Sequence, residues 1–311
     1  MTKTIIDLIN ENQKIIILRH KDPDLDAYGS QFGLYYALKA KFPNKQISAV
    51  GDTNALNRFE PLNTVLPSDY QESLVFILDT VSKQMLEGSL YEQSKTLVLI
   101  DHHQNEPDIR YDHYIRNTSA SSCAEMIASF LLENHIPIPL NSAGALFTGI
   151  VSDTGRFLYR NVTASSFEIA AKLIATGLDI QPIYAQMYSE PLQNKRLKAI
   201  FFSTVQFSKH HVAYRKNDED FLKANNIDSN SVSRGMVNQM SGIDEVPIWA
   251  NFTYDQKTGK ILCELRSKNI AIVDVAKKYG GGGHLNACGC MVSTWEETDL
   301  IIQDLDNLLE E

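Results

Sequence analysis

Cysteine is scarce in this sequence: Cys123, Cys263, Cys288 and Cys290 are the only four in 311 residues. Four in a chain this long fit neither a disulfide framework nor a zinc knuckle. Long apolar runs are also missing. The longest, around Ala145–Val151, falls well short of the ~20 residues a membrane helix needs. Basic charge is in deficit, with 29 Lys and Arg against 38 Asp and Glu, a net −9. That balance argues against a long electrostatic groove for nucleic acid, yet a few local cations could still hold a short phosphorylated ligand. The opening Met1-Thr2-Lys3-Thr4-Ile5-Ile6-Asp7 carries no signal-peptide pattern, because an acid interrupts the apolar stretch at once. No internal repeat or charge block is visible. What is present is 43% hydrophobic, 22% charged and 9% aromatic content. It suffices for one or two buried cores and excludes a disordered chain. The length suggests two domains, since single cores seldom grow beyond ~250–300 residues. The expectation is a soluble, cytoplasmic, globular protein.

The first half alternates short apolar runs with helical patterns. Lys14–Arg19 is β-branched and too short for a helix, so it reads as a buried parallel strand. Asp26–Lys41 follows with apolar residues at helical spacing. Gln46–Val50, Leu74–Asp79 and Thr96–Asp101 are further strand candidates. Strands alternating with helices predict an α/β fold with a doubly wound, mainly parallel N-terminal sheet, whose ligands sit outside the carboxyl ends of the strands. Ser121–Asn134, Ser142–Val151 and Thr163–Thr176 read as helices. A second alternating block then begins near Phe201, with strands at Val205–Phe207, Val212–Tyr214, Ile248–Tyr254 and Lys260–Leu265. Asp255–Gly259 forms a hairpin turn, and helices follow at Ala271–Lys278 and Glu296–Leu309. We place an N-terminal domain at 1–190, a linker at 191–204 with a helix over Leu192–Ala199, and a smaller α/β domain at 205–311.

His20-Lys21-Asp22-Pro23-Asp24-Leu25-Asp26 packs one imidazole and three carboxylates into seven residues directly after a buried strand. Carboxylates that close raise one another's pKa unless a cation neutralises them. The plain alternative is a helix-capping turn, with Asp24 or Asp26 as the cap. Two other strand candidates end in Asp79 and in Asp101-His102-His103, and Asp153 ends a helical stretch. Each of these acids could simply cap a turn. Should the sheet order bring them together, however, the set becomes costly without cations and favourable with two divalent ions. Mixed oxygen and imidazole donors suit Mn²⁺, and oxygen-rich sites also take Mg²⁺. Two such ions about 3.5–4 Å apart clamp an in-line displacement at phosphorus. A second feature is Gly280-Gly281-Gly282-Gly283-His284. Successive glycines let a backbone approach an anion, and their N–H groups can form a phosphate nest, although a flexible loop would read alike. Taken alone, Arg266, in Leu265-Arg266-Ser267-Lys268 at a strand end, reads as a surface arginine on an edge strand.

Asp101-His102-His103, together with His20-x-Asp22-Pro23-Asp24-x-Asp26, Asp79 and Ser152-Asp153-Thr154, resembles the DHH phosphoesterase superfamily, in that family's order. Leu25 stands where many members carry Gly. The glycine run resembles the GGGHxxAAG signature of the C-terminal domain that accompanies many members, with Cys288 where Ala is usual. The resemblance spans roughly Lys14–Asp153 and Phe201–Met291. It implies that His20, Asp24 and Asp79 hold one metal and that Asp26, Asp79, His102 and Asp153 hold the second, with Asp79 bridging. It implies further that His103 faces the scissile phosphate and that Asp101 orients the histidines. Gly281, Gly282, Gly283, His284 and Arg266 would grip a substrate phosphate. Asn117–Ser122 resembles another family segment near the site, or serves as a helix cap. The implied cofactors are two divalent cations, Mn²⁺ foremost and Mg²⁺ second. The implied activity is that of small bacterial members, which act as oligoribonucleases on short 5′-phosphorylated RNA, as phosphatases of 3′-phosphoadenosine 5′-phosphate, or on dinucleotides such as pApA. Expected partners are that substrate and a second copy of the chain, with no long nucleic acid and no membrane. The competing readings are a manganese pyrophosphatase of the same superfamily and a non-catalytic nucleotide-binding module.

Overall fold

The computed structural model describes residues 4–310; Met1, Thr2 and Lys3, from the opening segment read above, and Glu311 lie outside the described residues. Two compact units divide the chain, 1–189 and 190–311.

Unit 1 runs α1 (Ile5–Glu11), β1 (Lys14–Arg19), α2 (Leu25–Lys41), β2 (Gln46–Ala49), α3 (Pro67–Gln71), β3 (Ser73–Leu78), β4 (Thr96–Asp101), β5 (His113–Arg116), α4 (Cys123–Glu133), α5 (Leu140–Asp153), α6 (Ala164–Ile174) and α7 (Gln181–Tyr188). All five strands are parallel, in the order β2-β1-β3-β4-β5. The central strands β1, β3 and β4 are buried on both faces, which is why they read as continuous apolar runs. On β3, Leu74, Phe76 and Leu78 join the larger core with α2, α4 and α5, while Val75 and Ile77 face a smaller one. The smaller layer is thin: the crossover from β3 to β4 holds only two 3₁₀ turns, Lys83–Met85 and Leu90–Gln93. Strand β5 has no apolar run of its own, and hydropathy did not reveal it. The strand order reverses between β1 and β3, the switch point where doubly wound sheets bind their ligands.

Unit 2 runs α8 (Leu192–Ser203), β6 (Gln206–Phe207), β7 (Ala213–Asn217), α9 (Glu219–Asn225), α10 (Ser229–Met236), β8 (Ile248–Asp255), β9 (Lys260–Ser267), α11 (Val273–Lys278), β10 (Gly282–His284), β11 (Ala287–Val292) and α12 (Trp295–Asn307). Its mixed sheet has the order β10-β11-β9-β8-β7-β6. The helix expected as a linker is not free of unit 2. It is α8, and it buries Leu197 and Phe201 against Ala213, Val232 and Trp249. Among the described residues, no helix is long and apolar enough to cross a membrane.

Candidate metal centre and phosphate pocket

Sheet order decides the first site. Strands β1, β3 and β4 are neighbours, and each delivers a polar residue just past its carboxyl end: His20, Asp79 and His102. Asp79 comes from the middle strand and therefore lies between the two imidazoles, 3.6 Å from His20 Nε2 through Oδ2 and 3.5 Å from His102 Nε2 through Oδ1. Its backbone is left-handed, φ +60°, an uncommon conformation for a side-chain-bearing residue that is found enriched at functional sites. The helices supply the other acids. Asp24 caps α2, accepting from the N–H groups of Asp26 and Ala27 at 2.9 Å, while its Oδ1 stands 3.9 Å from His20 Nε2. Capping and site placement are thus compatible in one residue, and Leu25, the first residue of α2, needs no glycine backbone. Asp26 is fully buried and accepts from the N–H groups of Cys123 and Ala124 at the start of α4, 2.7 and 2.9 Å away. Asp153 ends α5, with Oδ2 3.5 Å from His102 Nε2. After it, Gly155, Arg156 and Phe157 are all left-handed, a turn tied down by the Thr154 hydroxyl, which accepts from Phe157 N–H.

The electrostatics of this cluster call for a cation. Burial and the charges of Asp79 and Asp153 push the Asp26 carboxyl well above its usual range. Burial and the charges of Asp79 and Asp24 raise Asp153 to about 7. At His20 and His102 burial disfavours the charged ring, but facing Asp79 outweighs it, and they rise to about 8 and about 9. Asp79 itself is held below the usual carboxylate range, because the two imidazoles outweigh its burial. Asp79 Oδ1 and His102 Nε2 are buried without a hydrogen-bond partner among the described residues, and they face each other. Three donor sets converge here: His20, Asp24 and Asp79; Asp26, His102 and Asp153; and Asp79, His102 and His103. Orphaned nitrogen and oxygen donors amid repelling carboxylates fit divalent cations.

His103 differs from His102. Its Nδ1 is 2.8 Å from the fully buried carboxylate of Asp101, which also accepts from the His103 backbone N–H at 2.7 Å. Nδ1 is thereby committed, and Nε2 is left on a half-exposed ring. Asp101 raises the His103 pKa despite burial. Asn117–Ser122 proves to be a turn followed by the α4 cap: Ser119 N–H donates to Asn117, and the Ser122 hydroxyl accepts from Glu125 N–H. Sequence reasoning missed two buttresses. Buried Arg19 pairs with Asp52 at 2.9 Å and donates to the His20 carbonyl at 3.1 Å, with its guanidinium 4.7 Å from the Tyr28 ring centre. An arginine closing a β-branched run was the one available signal.

The glycine run lies in unit 2, where it lines a cavity of about 800 Å³ with Arg266, Glu264, His284, Asn230 and Arg234. It is a strand edge, not an open nest. Gly280, at φ +73°, ends α11 in a Schellman turn: its N–H donates to the Lys277 carbonyl and that of Gly281 to the Ala276 carbonyl. Those two donors are therefore spent. A Cβ on Gly281 would fall 2.1 Å from the Gly289 carbonyl, so only glycine lets β10 approach β11 there. Nothing stands within 4 Å of a Cβ on Gly282, which borders the cavity. Arg266 is not on an edge: β9 runs between β11 and β8. Its guanidinium donates to the carbonyls of Leu265 and Cys288 and to Glu264, at 2.9, 3.3 and 3.0 Å. Arg234 and Glu264, on this cavity's wall, also escaped the sequence reading.

Residues 14–150 match the DHH family, N-terminal domain, and residues 212–311 match the DHHA1 domain. A Streptococcus mutans protein named "Probable bifunctional oligoribonuclease and PAP phosphatase NrnA" is 35% identical, over 99% of each chain. The bifunctional oligoribonuclease and PAP phosphatase NrnA of Bacillus subtilis is 33% identical, over 100% of this chain and 99% of its own. The fold matches that of an exopolyphosphatase-related protein from Bacteroides fragilis, with a TM-score of 0.79 at 23% identity over 98% and 96% of the two chains. With a DHH domain, a DHHA1 domain and full-length relatives at this level of identity, the chain belongs to the DHH phosphoesterase family.

Proposed function

We propose that this chain is a metal-dependent phosphoesterase that hydrolyses short 5′-phosphorylated oligoribonucleotides, dinucleotides such as pApA, and 3′-phosphoadenosine 5′-phosphate to mononucleotides. The buried Asp79 carboxylate between His20 and His102, with facing donor atoms unpaired, carries the phosphoesterase reading. The substrate class rests on the full-length likeness to relatives named oligoribonuclease and PAP phosphatase. In this reading His20, Asp24 and Asp79 hold one divalent cation, Mn²⁺ foremost. Asp26, Asp79, His102 and Asp153 hold another. The chemistry supplied by such cations is polarisation of the phosphoryl group and neutralisation of its developing charge. The chain's own residues do the rest. Asp101 favours the protonated form of His103 and fixes Nδ1, and in that form Nε2–H is left to donate to a phosphoryl oxygen. Arg19 and Asp52 hold the loop that carries His20. In unit 2, Arg266 and His284 beside Gly281, Gly282 and Gly283 bind the terminal phosphate. The glycine run ending in His284 and the full-length likeness to relatives named oligoribonuclease and PAP phosphatase count against a pyrophosphatase, and the converging donor sets count against a non-catalytic module. The test is Mn²⁺-dependent release of AMP from pApA and of phosphate from 3′-phosphoadenosine 5′-phosphate. Hydrolysis of inorganic pyrophosphate alone would overturn the reading.

A further inference from the structure

The unit 2 cavity contains a cation that the resemblance does not account for. Helix α10 buries Val232 and Met236, which fixes its rotation, and Asn230 and Arg234, four residues apart on one face, border the cavity. Arg234 is 81% exposed, and Glu264 Oε1, 3.4 Å from its Nε, is its one ion-pair partner among the described residues. Glu264 gives its other oxygen to Arg266. The carboxylate thus stands between two guanidiniums. Arg266 is anchored by two backbone carbonyls and, with Glu264, sums to no net charge. A phosphate monoester, however, carries ≈ −1.5 to −2 near neutrality. The anchored pair leaves that charge unmatched, and Arg234 restores a positive excess.

We propose that Arg234 is a second phosphate-binding arginine, which closes with Arg266 on a terminal phosphate monoester while Glu264 stations both guanidiniums beside Gly282. The proposal rests on the reading above that this cavity takes the substrate's terminal phosphate. Exposure leaves Arg234 free to reorient, and its long 3.4 Å contact is readily exchanged for a charge-assisted, forked pair with phosphate oxygens.

The probe is 5′-AMP, titrated calorimetrically into the intact chain in excess EDTA, so that binding does not depend on metal; adenosine serves as the uncharged control. Arg234→Ala should weaken AMP about tenfold, in keeping with a charge-assisted bond on an exposed side chain. It should leave adenosine and the melting temperature unchanged. Arg234→Lys, with its charge but no fork, should fall between. If Arg266→Ala weakens AMP while Arg234→Ala does not, the proposal fails and the phosphate pocket stands. An equal loss for adenosine and AMP in Arg234→Ala would also overturn it. If neither arginine matters to AMP, the pocket reading itself is wrong, and the proposal falls with it.

Discussion

Replacing Asp79 by Asn isolates the charge proposed to bridge the two cations. Asn keeps the shape of the side chain and tolerates the left-handed backbone that Asp79 adopts at φ +60°. Only the negative charge and the stronger donor are lost. Asp79 is 3% exposed and lies 3.5–3.6 Å from two imidazoles, so solvent screens little of the effect. Removing one partner from a buried charged set costs about 3–5 kcal/mol. At 1.4 kcal/mol per decade this corresponds to roughly 10²- to 10⁴-fold weaker cation binding. Because both proposed cation sites share this carboxylate, both should empty together. Asp22→Asn is the matched control: it too is left-handed, at φ +48°, but it is exposed and outside the donor sets. Mn²⁺ titration calorimetry, elemental analysis and turnover on pApA should show Asp22→Asn like the parent and Asp79→Asn without metal or activity. If Asp79→Asn kept both ions within tenfold of the parent affinity, or matched Asp22→Asn, the bridging assignment would be refuted.

His103→Asn should lower kcat about 10²-fold or more while both cations stay bound, since Nδ1 belongs to Asp101; loss of a cation on elemental analysis would instead make His103 a ligand. Cation uptake should release protons, because in the metal-free chain His20 titrates at about 8, His102 at about 9 and Asp153 at about 7, whereas ligands must be unprotonated. Affinity should therefore climb as pH rises from about 7 to about 9 and level off above. Calorimetry at pH 7 in buffers of differing ionisation enthalpy reads the protons directly, and identical heats would contradict this. Gly281→Ala should destabilise unit 2 by about 1–3 kcal/mol through overpacking against the Gly289 carbonyl; an unchanged melting curve would show that β10 and β11 can part without cost. Turnover should fall steeply as RNA grows beyond about five residues, because the chain's net charge of −9 disfavours a long backbone. Equal kcat/KM on a dinucleotide and a 20-residue RNA would exclude that account.

The residues that converge at the candidate metal centre were visible in sequence because each follows a local signal. Buried parallel strands announce themselves as β-branched runs, and the polar residue that ends each run stands at the carboxyl edge where such sheets bind ligands. His20, Asp79, Asp101 and the two histidines after it all stand out in this way, and Asp24 and Asp26 follow the first run within a few residues. Local signals stop there. That Asp79 lies between His20 and His102 depends on β3 pairing with both β1 and β4, a long-range choice that no spacing encodes. The two histidines have different surroundings only because Asp101 reaches His103 Nδ1, while His102 faces three carboxylates supplied by a strand end and two helices. In unit 2 the glycines were visible but their uses were not. Helix termination at Gly280 and close strand contact at Gly281 depend on φ and on β11, which lie outside what composition records. Arg234 and Glu264 were silent for the same reason. A charged residue on a helix and another on a strand carry no mark of facing each other until packing turns them to one cavity. Periodicity and the chemistry at segment ends mark the buried strands and the amphipathic helices, though not a strand such as β5 that lacks an apolar run. Which groups meet, and hence which carboxylate lies between two imidazoles and which guanidinium stays exposed beside a cavity, is decided by contacts distant along the chain, whose burial energy depends on the whole sheet.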